Sequence, residues 1–309
     1  MESSIDIYRK YLESERQLSP NTVKAYMRDI EQFSNYINGN NTEPNQTLVD
    51  PKDASRNDIR SWIMLQLEGG ANPVSINRRI ASLHTFYKLL LRKEINTTDP
   101  TETIQELKTA HPLPTFIPKK DINQIKNLSK ESHVQMSYSD FLDYAVVITL
   151  YMTGMRRSEL ASLEHSMVDF GQMTIKITGK GSKQRIIPLT EEMEELLKSL
   201  FLRTENEIYP YLICVSDKSF VFLSKRAKPI TTNQIYTIVK RTLKKHGIEG
   251  NPTPHTLRHT FATHLMTSGA QIRTIQSLLG HSSIAATEKY THLSIEELKK
   301  TFKKAHPRA

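Results

Sequence analysis

The chain has 309 residues, with a formal net charge of +9 and a pI near 9.4. This length suits two domains, and the basic balance favours a polyanionic partner. The single cysteine, Cys214, excludes an intrachain disulfide and is typical of a reducing compartment. Neither a signal-peptide pattern nor an apolar run of membrane-spanning length is present, so we expect a cytoplasmic protein without a membrane anchor.

The first third of the chain predicts helices. One begins with Ser19 as N-cap and Pro20 at the first helical position, and Gly39 is its stop signal. Apolar residues recur on it at spacings of four, three and four, at Tyr26, Ile30, Phe33 and Ile37. A shorter helix is expected from Ser55 to Leu67.

The next segment, "SINRRIASLHTFYKLLLRK", predicts a helix with one buried and one basic face. Its buried stripe consists of Ile76, Ile80, Leu83, Tyr87 and Leu90. Its cations, which have no acid among them, are Arg78, Arg79, Lys88, Arg92 and Lys93. Such a charge run is ordinarily a solvated face. Beside a DNA-cutting domain it can neutralise phosphates or enter a major groove.

A domain boundary is predicted at residues 111–118, "HPLPTFIP", which contain three prolines. Because proline fixes φ and removes a donor, we expect an extended linker there. It separates a helical domain, residues 1–110, from a second domain, residues 119–309. Residues 1–110 hold 14 Lys and Arg against 15 Asp and Glu, a net of −1, whereas residues 111–309 hold 28 against 18, a net of +10. The basic excess therefore lies in the second domain.

After the linker the pattern is mixed. "DFLDYAVVITLYMTG" predicts a buried helix that ends at Gly154, with Arg156 just beyond it. "GQMTIKITGKGSKQRIIPL" predicts two short strands, Met173–Thr178 and Gln184–Pro188, around a glycine-rich turn that holds Lys180. A mobile ammonium on such a turn can reach a leaving oxygen and act as a general acid.

Two other cations of this hairpin, Lys183 and Arg185, are rival candidates for that acid. Further along, "TTNQIYTIVKRTLKKHGI" predicts an amphipathic helix. The expected phosphate contacts on it are Lys240, Arg241, Lys244 and Lys245.

Near the C-terminus, His255, Arg258, His281 and Tyr290 fall within 36 consecutive residues. Together they suit covalent attack on a phosphodiester: a phenol supplies the nucleophile, a guanidinium holds two phosphate oxygens, and imidazoles exchange protons or hydrogen bonds. Each element alone has an ordinary structural explanation, since a His-x-x-Arg pair is usually an exposed helix face. Their joint order and spacing favour the chemical interpretation.

These strings resemble the tyrosine recombinase (phage integrase) family, and within it the bacterial Xer branch. The family pattern runs Arg, Lys, His-x-x-Arg, His or Trp, then Tyr, with an acid after the first arginine. Every position is filled here in that order, by Arg156, Glu159, Lys180, His255, Arg258, His281 and Tyr290.

The resemblance implies a mainly α fold with a small β-sheet. A helical, SAM-like core-binding domain and a mixed α/β catalytic domain would form a C-shaped clamp on DNA. Arg156 and Arg258 would bind the non-bridging phosphate oxygens. Tyr290 would attack to leave a 3′-phosphotyrosyl link, and Lys180 would protonate the departing 5′ oxygen. No metal and no cofactor is implied, because the arginines supply the positive charge.

The implied partners are a double-stranded DNA recombination site and a tetramer on two such sites, formed with or without a second related recombinase. A DNA translocase of the FtsK type belongs to the chromosome-dimer role of the Xer branch. The last helix, which Ser294 and Glu297 would cap, either packs on its own domain or docks on a neighbouring protomer. Three alternatives share this chemistry or scaffold: a mobile-element integrase, a type IB topoisomerase and a non-enzymatic DNA-binding relative.

Overall fold

The computed structural model describes residues 3–39, 48–109, 116–126, 135–179, 184–211 and 219–280. The chain divides into two compact units, residues 1–112 and 113–309. The described residues include no helix that is both long and apolar enough to cross a membrane. Both units are mainly helical, and one small sheet lies in the second, which confirms the predicted fold class.

The described residues of the first unit form four α-helices: α1 (Ser4–Lys10), α2 (Pro20–Ile37), α3 (Arg56–Glu68) and α4 (Pro73–Arg92). A π-helical turn, Tyr11–Glu15, extends α1, and a 3₁₀ turn, Pro51–Asp53, precedes α3. The predicted starts of two helices are confirmed. The Ser19 side chain accepts a hydrogen bond from the Thr22 N–H, and Ser55 forms a capping box with Asp58.

The apolar stripe that was predicted on α4 forms part of the core of this unit. All five of its members are buried, together with Phe33 of α2 and Trp62 of α3. Two buried phenols in this core are satisfied by backbone carbonyls. Tyr8 Oη donates to Ser82 O at 3.0 Å, and Tyr87 Oη donates to Pro51 O at 2.6 Å.

The second unit contains seven described α-helices: α5 (Lys119–Lys126), α6 (Tyr138–Thr153), α7 (Arg157–Ala161), α8 (Glu191–Glu207), α9 (Thr232–Lys245), α10 (Pro254–Thr267) and α11 (Ile272–Leu279). Its antiparallel sheet has the order β1 (Val168–Asp169), β2 (Thr174–Thr178) and β3 (Gln184–Pro188). Short 3₁₀ turns lie at His165–Met167 and Tyr209–Tyr211.

Helix α6 is the centre of this unit, because it is apolar on all sides and α8, α9 and α10 pack around it. It ends at Gly154, as predicted, with φ at +60°. A Cβ atom at Gly154 would lie 2.3 Å from Cδ1 of Phe261, so glycine is required there for both space and backbone conformation. This tight ending delivers the next residues, including Arg156, to the start of α7.

The hairpin also forms as predicted. Strand β3 has the expected bounds, and β2 begins one residue later than expected, because Met173 has a φ of +50° and lies outside the strand. Ile177 pairs with Arg185 across the two strands. The turn that carries Lys180 and Lys183 lies outside the described residues. Strand β1 was not predicted, since two residues are too few to show a period.

The end of the predicted linker belongs to the second unit. Residues 116–118 form neither helix nor strand, as expected of a linker. However, Ile117 is buried in the core of that unit, and its N–H donates to Thr260 Oγ1 at 3.0 Å. An isoleucine between prolines gains enough from burial to hold its segment on α10. Residues 111–115 lie outside the described part of the chain.

Candidate active site

Four of the predicted catalytic and supporting residues lie in the described part of the second unit: Arg156, Glu159, His255 and Arg258. Lys180, His281 and Tyr290 lie outside the described residues, as does the C-terminal helix expected from Ser294. The described part of the site is therefore its arginine side, together with the backbone that precedes His281 in sequence.

Arg156 and Glu159 bind each other at the start of α7. Arg156 is the N-cap residue, and its N–H donates to Glu159 Oε2 at 2.6 Å. Its Nη1 donates to Glu159 Oε1 at 3.0 Å, and its Nη2 lies 3.4 Å from Gly280 O. The Glu159 carboxylate thus satisfies an otherwise free helix N–H and holds the guanidinium at the same time.

His255 and Arg258 lie on one face of α10, because a separation of three residues is nearly one helical turn. The helix begins at Pro254, and Thr253 caps it. His255, its second residue, is exposed, whereas Arg258 is buried. Arg258 Nη1 donates to Gly154 O at 2.7 Å, and its Nη2 donates to Leu279 O.

Arg258 and Arg156 therefore contact carbonyls of consecutive residues, Leu279 and Gly280. The two guanidinium groups come from segments about a hundred positions apart in sequence, yet they meet at the end of α11, directly before His281. The structure thus brings together the two arginines that were predicted to bind one phosphate.

A third arginine, Arg185 of β3, joins this cluster. Its Nη1 and Nη2 donate to Oε1 and Oε2 of Glu159 at 2.8 and 2.7 Å, and its Nε donates to Leu278 O at 2.8 Å. Its side chain is 9% exposed. Sequence reasoning considered Arg185 only as a rival to Lys180 as general acid. Its burial and its ion pair exclude that role, and no sequence signal linked it to Glu159.

The cluster is electrostatically unbalanced, because three guanidinium groups surround one carboxylate. Burial raises the pKa of the Glu159 carboxyl, but hydrogen bonds from Arg185 and Arg156 outweigh it and lower that pKa to about 2. Burial, followed by the charges of Arg156 and Arg185, lowers the pKa of Arg258 to about 10. Glu159 and Arg258 are therefore ionised at neutral pH, and the excess of guanidinium groups over carboxylates suits an anion such as a phosphate.

The arginines among the predicted DNA contacts on α4 have partners within the protein that the sequence did not show. Arg78 binds the carboxylate of Asp29 and donates to Ala25 O at 3.3 Å. Arg79 and Arg92 are likewise engaged, the first with Gln66 Oε1 and the second with Glu15 Oε2, each at 2.7 Å. The row of cations had no acid within its own helix. Neighbouring helices supply acids, and a pattern along one helix cannot show them.

The remaining predicted contacts fall into two groups, lysines that are exposed and one arginine that has an ion-pair partner within the protein. Lys88 on α4 and Lys240 and Lys244 on α9 are exposed, as a phosphate contact requires. Arg241, between the last two, binds the carboxylate of Asp143 on α6. Among the described residues, no three His, Cys, Asp or Glu side chains come together in a group that could hold a metal ion.

Comparisons with known proteins agree with this fold. The phage integrase family matches residues 115–297, and the N-terminal SAM-like domain of phage integrases matches residues 5–94. Together these matches span most of the chain. The chain therefore belongs to the phage integrase family of tyrosine recombinases, which are enzymes of DNA strand exchange.

Two relatives match over their full length. Tyrosine recombinase XerD of Listeria innocua is 36% identical over 313 residues, covering 100% of both chains. Tyrosine recombinase XerC of Pediococcus pentosaceus is 34% identical over 306 residues, covering 99% of this chain and 98% of that protein. These relatives confirm the prediction of an Xer-like, site-specific tyrosine recombinase.

A solved structure matches the fold. The crystal structure of a lambda integrase dimer (residues 75–356) bound to a COC′ core site has a TM-score of 0.67 and 18% identity, covering 94% of this chain and 98% of that one. At that identity the likeness concerns the fold alone.

Proposed function

We propose that this recombinase resolves chromosome dimers, as its resemblance to the Xer branch implies, and that it cuts DNA through Tyr290. The observation that carries the chemical part is the convergence of Arg156 and Arg258 on consecutive backbone carbonyls, with an excess of positive charge around one carboxylate. Guanidinium groups that are fixed before the substrate arrives stabilise transition-state charge without reorganisation.

The arginines hold the scissile phosphate in this mechanism. Arg156 and Arg258 each keep N–H groups beyond those that bind protein carbonyls and Glu159, because a guanidinium has five donors. These remaining donors bind the non-bridging oxygens and stabilise the pentavalent transition state. His255, exposed near the start of α10, accepts or shares the proton of the attacking phenol, and His281 donates a hydrogen bond to the phosphate.

Bond making and breaking complete the step. The phenolic oxygen of Tyr290 forms a bond to phosphorus, the bond from phosphorus to the 5′ oxygen breaks, and Lys180 protonates that oxygen. The product is a 3′-phosphotyrosyl link and a free 5′-hydroxyl. Because the covalent link keeps the free energy of the phosphodiester, rejoining to a new 5′-hydroxyl needs neither ATP nor a metal ion.

The partners follow from the same proposal. The DNA partner is a double-stranded recombination site, and a tetramer on two such sites exchanges the strands, alone or with a second related recombinase. Its substrate is the chromosome in the cytoplasm, and a DNA translocase of the FtsK type delivers the two sites at cell division. The full-length match to recombinases named XerC and XerD supports this role over that of a mobile-element integrase.

The test uses a suicide substrate that carries the recombination site, obtained by chromatin immunoprecipitation, with a nick beside the cleavage position. Wild-type protein should give a covalent protein–DNA band on a denaturing gel, with EDTA present. Tyr290→Phe should bind the same DNA with unchanged affinity and give no such band, because one hydroxyl is lost and the basic surface is intact. A covalent band from the variant, or a strict need for Mg²⁺ in the wild type, would contradict the proposal.

A further inference from the structure

Arg185 has no role in the proposed reaction, although it contacts residues of the same site. It lies on β3, two positions after Lys183 in sequence, and its side chain is nearly buried. Its guanidinium makes three hydrogen bonds in two directions. Two run to the Glu159 carboxylate, at 2.7 and 2.8 Å, and the third runs from Nε to Leu278 O at 2.8 Å.

Three segments that carry proposed catalytic groups meet at this guanidinium. The first is the pair of strands β2 and β3, to which Arg185 belongs and between which Lys180 lies in sequence. The second is the start of α7, where Glu159 holds Arg156 by its N–H and by its Nη1. The third is the end of α11, where Leu278 comes three residues before His281.

The packing at the third segment is close. Gly280 has a φ of +62°, and a Cβ atom built on it would lie 3.1 Å from Cδ of Arg185. A side chain at position 280 would therefore be strained by its backbone and would also press on the arginine. The arginine stem thus packs on the backbone that leads into His281, while its head binds the partner of Arg156.

We infer that Arg185 is a positioning residue for strand cleavage: it sets the Arg156 guanidinium through Glu159 and fixes the backbone directly before His281. This inference rests on the proposed function, because it assigns Arg185 to the same phosphate site. Arg185 is not a catalytic residue, since its burial and its ion pair keep it from substrate.

The fork of the guanidinium explains why the residue is arginine. Its two terminal nitrogens match the two oxygens of a carboxylate, and Nε projects to the side, where it meets Leu278 O. A lysine ammonium is a single point of charge and cannot bridge both carboxylate oxygens and that carbonyl. Arg185→Lys keeps the charge and loses the geometry, so it separates the two contributions.

The matched control is Arg203→Gln. Arg203, in the same unit, donates to Glu207 Oε1 at 2.7 Å and to Met136 O at 2.7 Å, and its side chain is 20% exposed. It therefore also joins a carboxylate and a backbone carbonyl, but it makes no contact with Glu159 or with residues 278–280. The cleavage rate of Arg203→Gln therefore measures the effect of removing an arginine that has only a structural role.

The experiment measures single-turnover cleavage of the suicide substrate at saturating protein, with DNA affinity measured separately. Arg185→Gln should bind DNA as the wild type does and cleave about 100-fold more slowly, because displacement of a transition-state contact by about an ångström has that effect. Arg185→Lys should not restore the rate, and Arg203→Gln should cleave at the wild-type rate.

Two further readouts separate positioning from general destabilisation. In Arg185→Gln the pKa of Glu159 should rise, so the acid limb of the pH–rate profile should move to higher pH, and Arg203→Gln should keep the wild-type limb. The double variant Glu159→Gln/Arg185→Gln removes both partners of the buried Glu159–Arg185 ion pair, so neither is left without the other. It should cleave no more slowly than Arg185→Gln, because both residues act on Arg156 through one contact.

Wild-type cleavage rate in Arg185→Gln would overturn the inference, as would an unmoved acid limb or a double-variant loss equal to the product of the two single losses. These outcomes are distinct from failure of the proposed function. If wild-type protein formed no covalent product, the function itself would be wrong. If the wild type cleaves and only the Arg185 variants contradict expectation, the role of Arg185 alone is wrong.

Discussion

Among the described residues, each unit buries one carboxylate against arginine, and the two carboxylates differ in their environment. Asp29 in the first unit is fully buried and binds one guanidinium, that of Arg78, while its Oδ1 has no hydrogen-bond partner among the described residues. Glu159 in the second unit binds two guanidinium groups and a backbone N–H, which satisfy both of its oxygens.

This difference in hydrogen bonding shifts the pKa values of the two carboxyl groups in opposite directions. For Asp29, burial outweighs the attraction of Arg78, and the pKa of its carboxyl is raised. For Glu159, burial has the same direction, but the hydrogen bonds outweigh it and the pKa falls to about 2. Desolvation of a carboxylate is thus offset only where several donors converge on it. The first arrangement ties two helices together, whereas the second leaves Arg156 and Arg258 able to bind an anion.

The largest expected effect is on the rate of DNA cleavage, when an arginine beside Glu159 in the second unit is replaced. We call Glu159 and its arginines the second cluster, and Asp29 with Arg78 the first cluster. Arg156→Ala or Arg258→Ala should slow cleavage of the suicide substrate by about 10²- to 10³-fold, since each removes roughly 3–4 kcal/mol of transition-state stabilisation. The first cluster should behave differently, and Arg78→Ala should leave the rate on saturating DNA unchanged. An equal loss of cleavage rate in Arg78→Ala would mean that the two clusters do not differ in their contribution to cleavage.

The next effect concerns stability at the first cluster. Arg78→Ala leaves the buried carboxylate of Asp29 without its partner and should lower the free energy of unfolding of the first unit by about 2 kcal/mol. Urea unfolding followed by the fluorescence of Trp62, the single tryptophan and a core residue of that unit, measures it.

The control for that measurement is Arg9→Ala in the same unit. Arg9 pairs with Glu31 at 3.5 Å, and both side chains are about half exposed. Such a surface pair contributes about 0–1 kcal/mol, so the control should unfold almost as the wild type does. An equal loss of unfolding free energy in Arg78→Ala and Arg9→Ala would mean that the burial of Asp29 does not strengthen its ion pair.

Acidification should affect the two carboxylates in opposite directions. Because the folded pKa of Glu159, about 2, lies below its ordinary value of 4.5, its ionised form stabilises the fold. The advantage of wild type over Glu159→Gln should be constant above pH 4.5, on the order of 3 kcal/mol, and should disappear as the pH falls to about 2. Hydrogen exchange in α6 and α10, compared between the two proteins at each pH, measures it.

Asp29 provides the counterpart. Since the pKa of its carboxyl is raised in the fold, the stability that its protonated form contributes is present at low pH and is lost as the pH rises through the folded pKa. Wild type should therefore lose stability relative to Asp29→Asn as the pH rises, followed by Trp62 fluorescence. The same sign of pH dependence at both carboxylates would contradict the comparison.

The smallest expected effect concerns the exposed cations of α9. Lys240→Ala or Lys244→Ala should lower the slope of log affinity for DNA against log salt by about one and leave saturated cleavage unchanged. Arg241→Gln should change that slope less, because Asp143 already neutralises its charge. A larger change at Arg241 than at either lysine would show that its ion pair opens on DNA.

Local patterns were sufficient for the elements that carry the site. The start of α2 at Pro20, the end of α6 at Gly154 and the bounds of β3 were predicted correctly, because caps, glycine stops and alternation act over a few residues. The basic face of α4 stays a prediction as a DNA contact, but the ion-pair partners of its arginines Arg78 and Arg92 were not predicted. Their acids lie on other helices, as far away in sequence as Glu15 is from Arg92.

The sequence by itself determined the family, the order of the proposed catalytic residues and the positions of most helices, because motif spacing and apolar period are properties of the chain. Only the tertiary structure decided which charges meet. Arg185 became a partner of Glu159, and Arg78 a partner of Asp29, because folding placed their segments side by side and buried both carboxylates. A charge acquires its role from its neighbours and its burial, and neither is local in sequence.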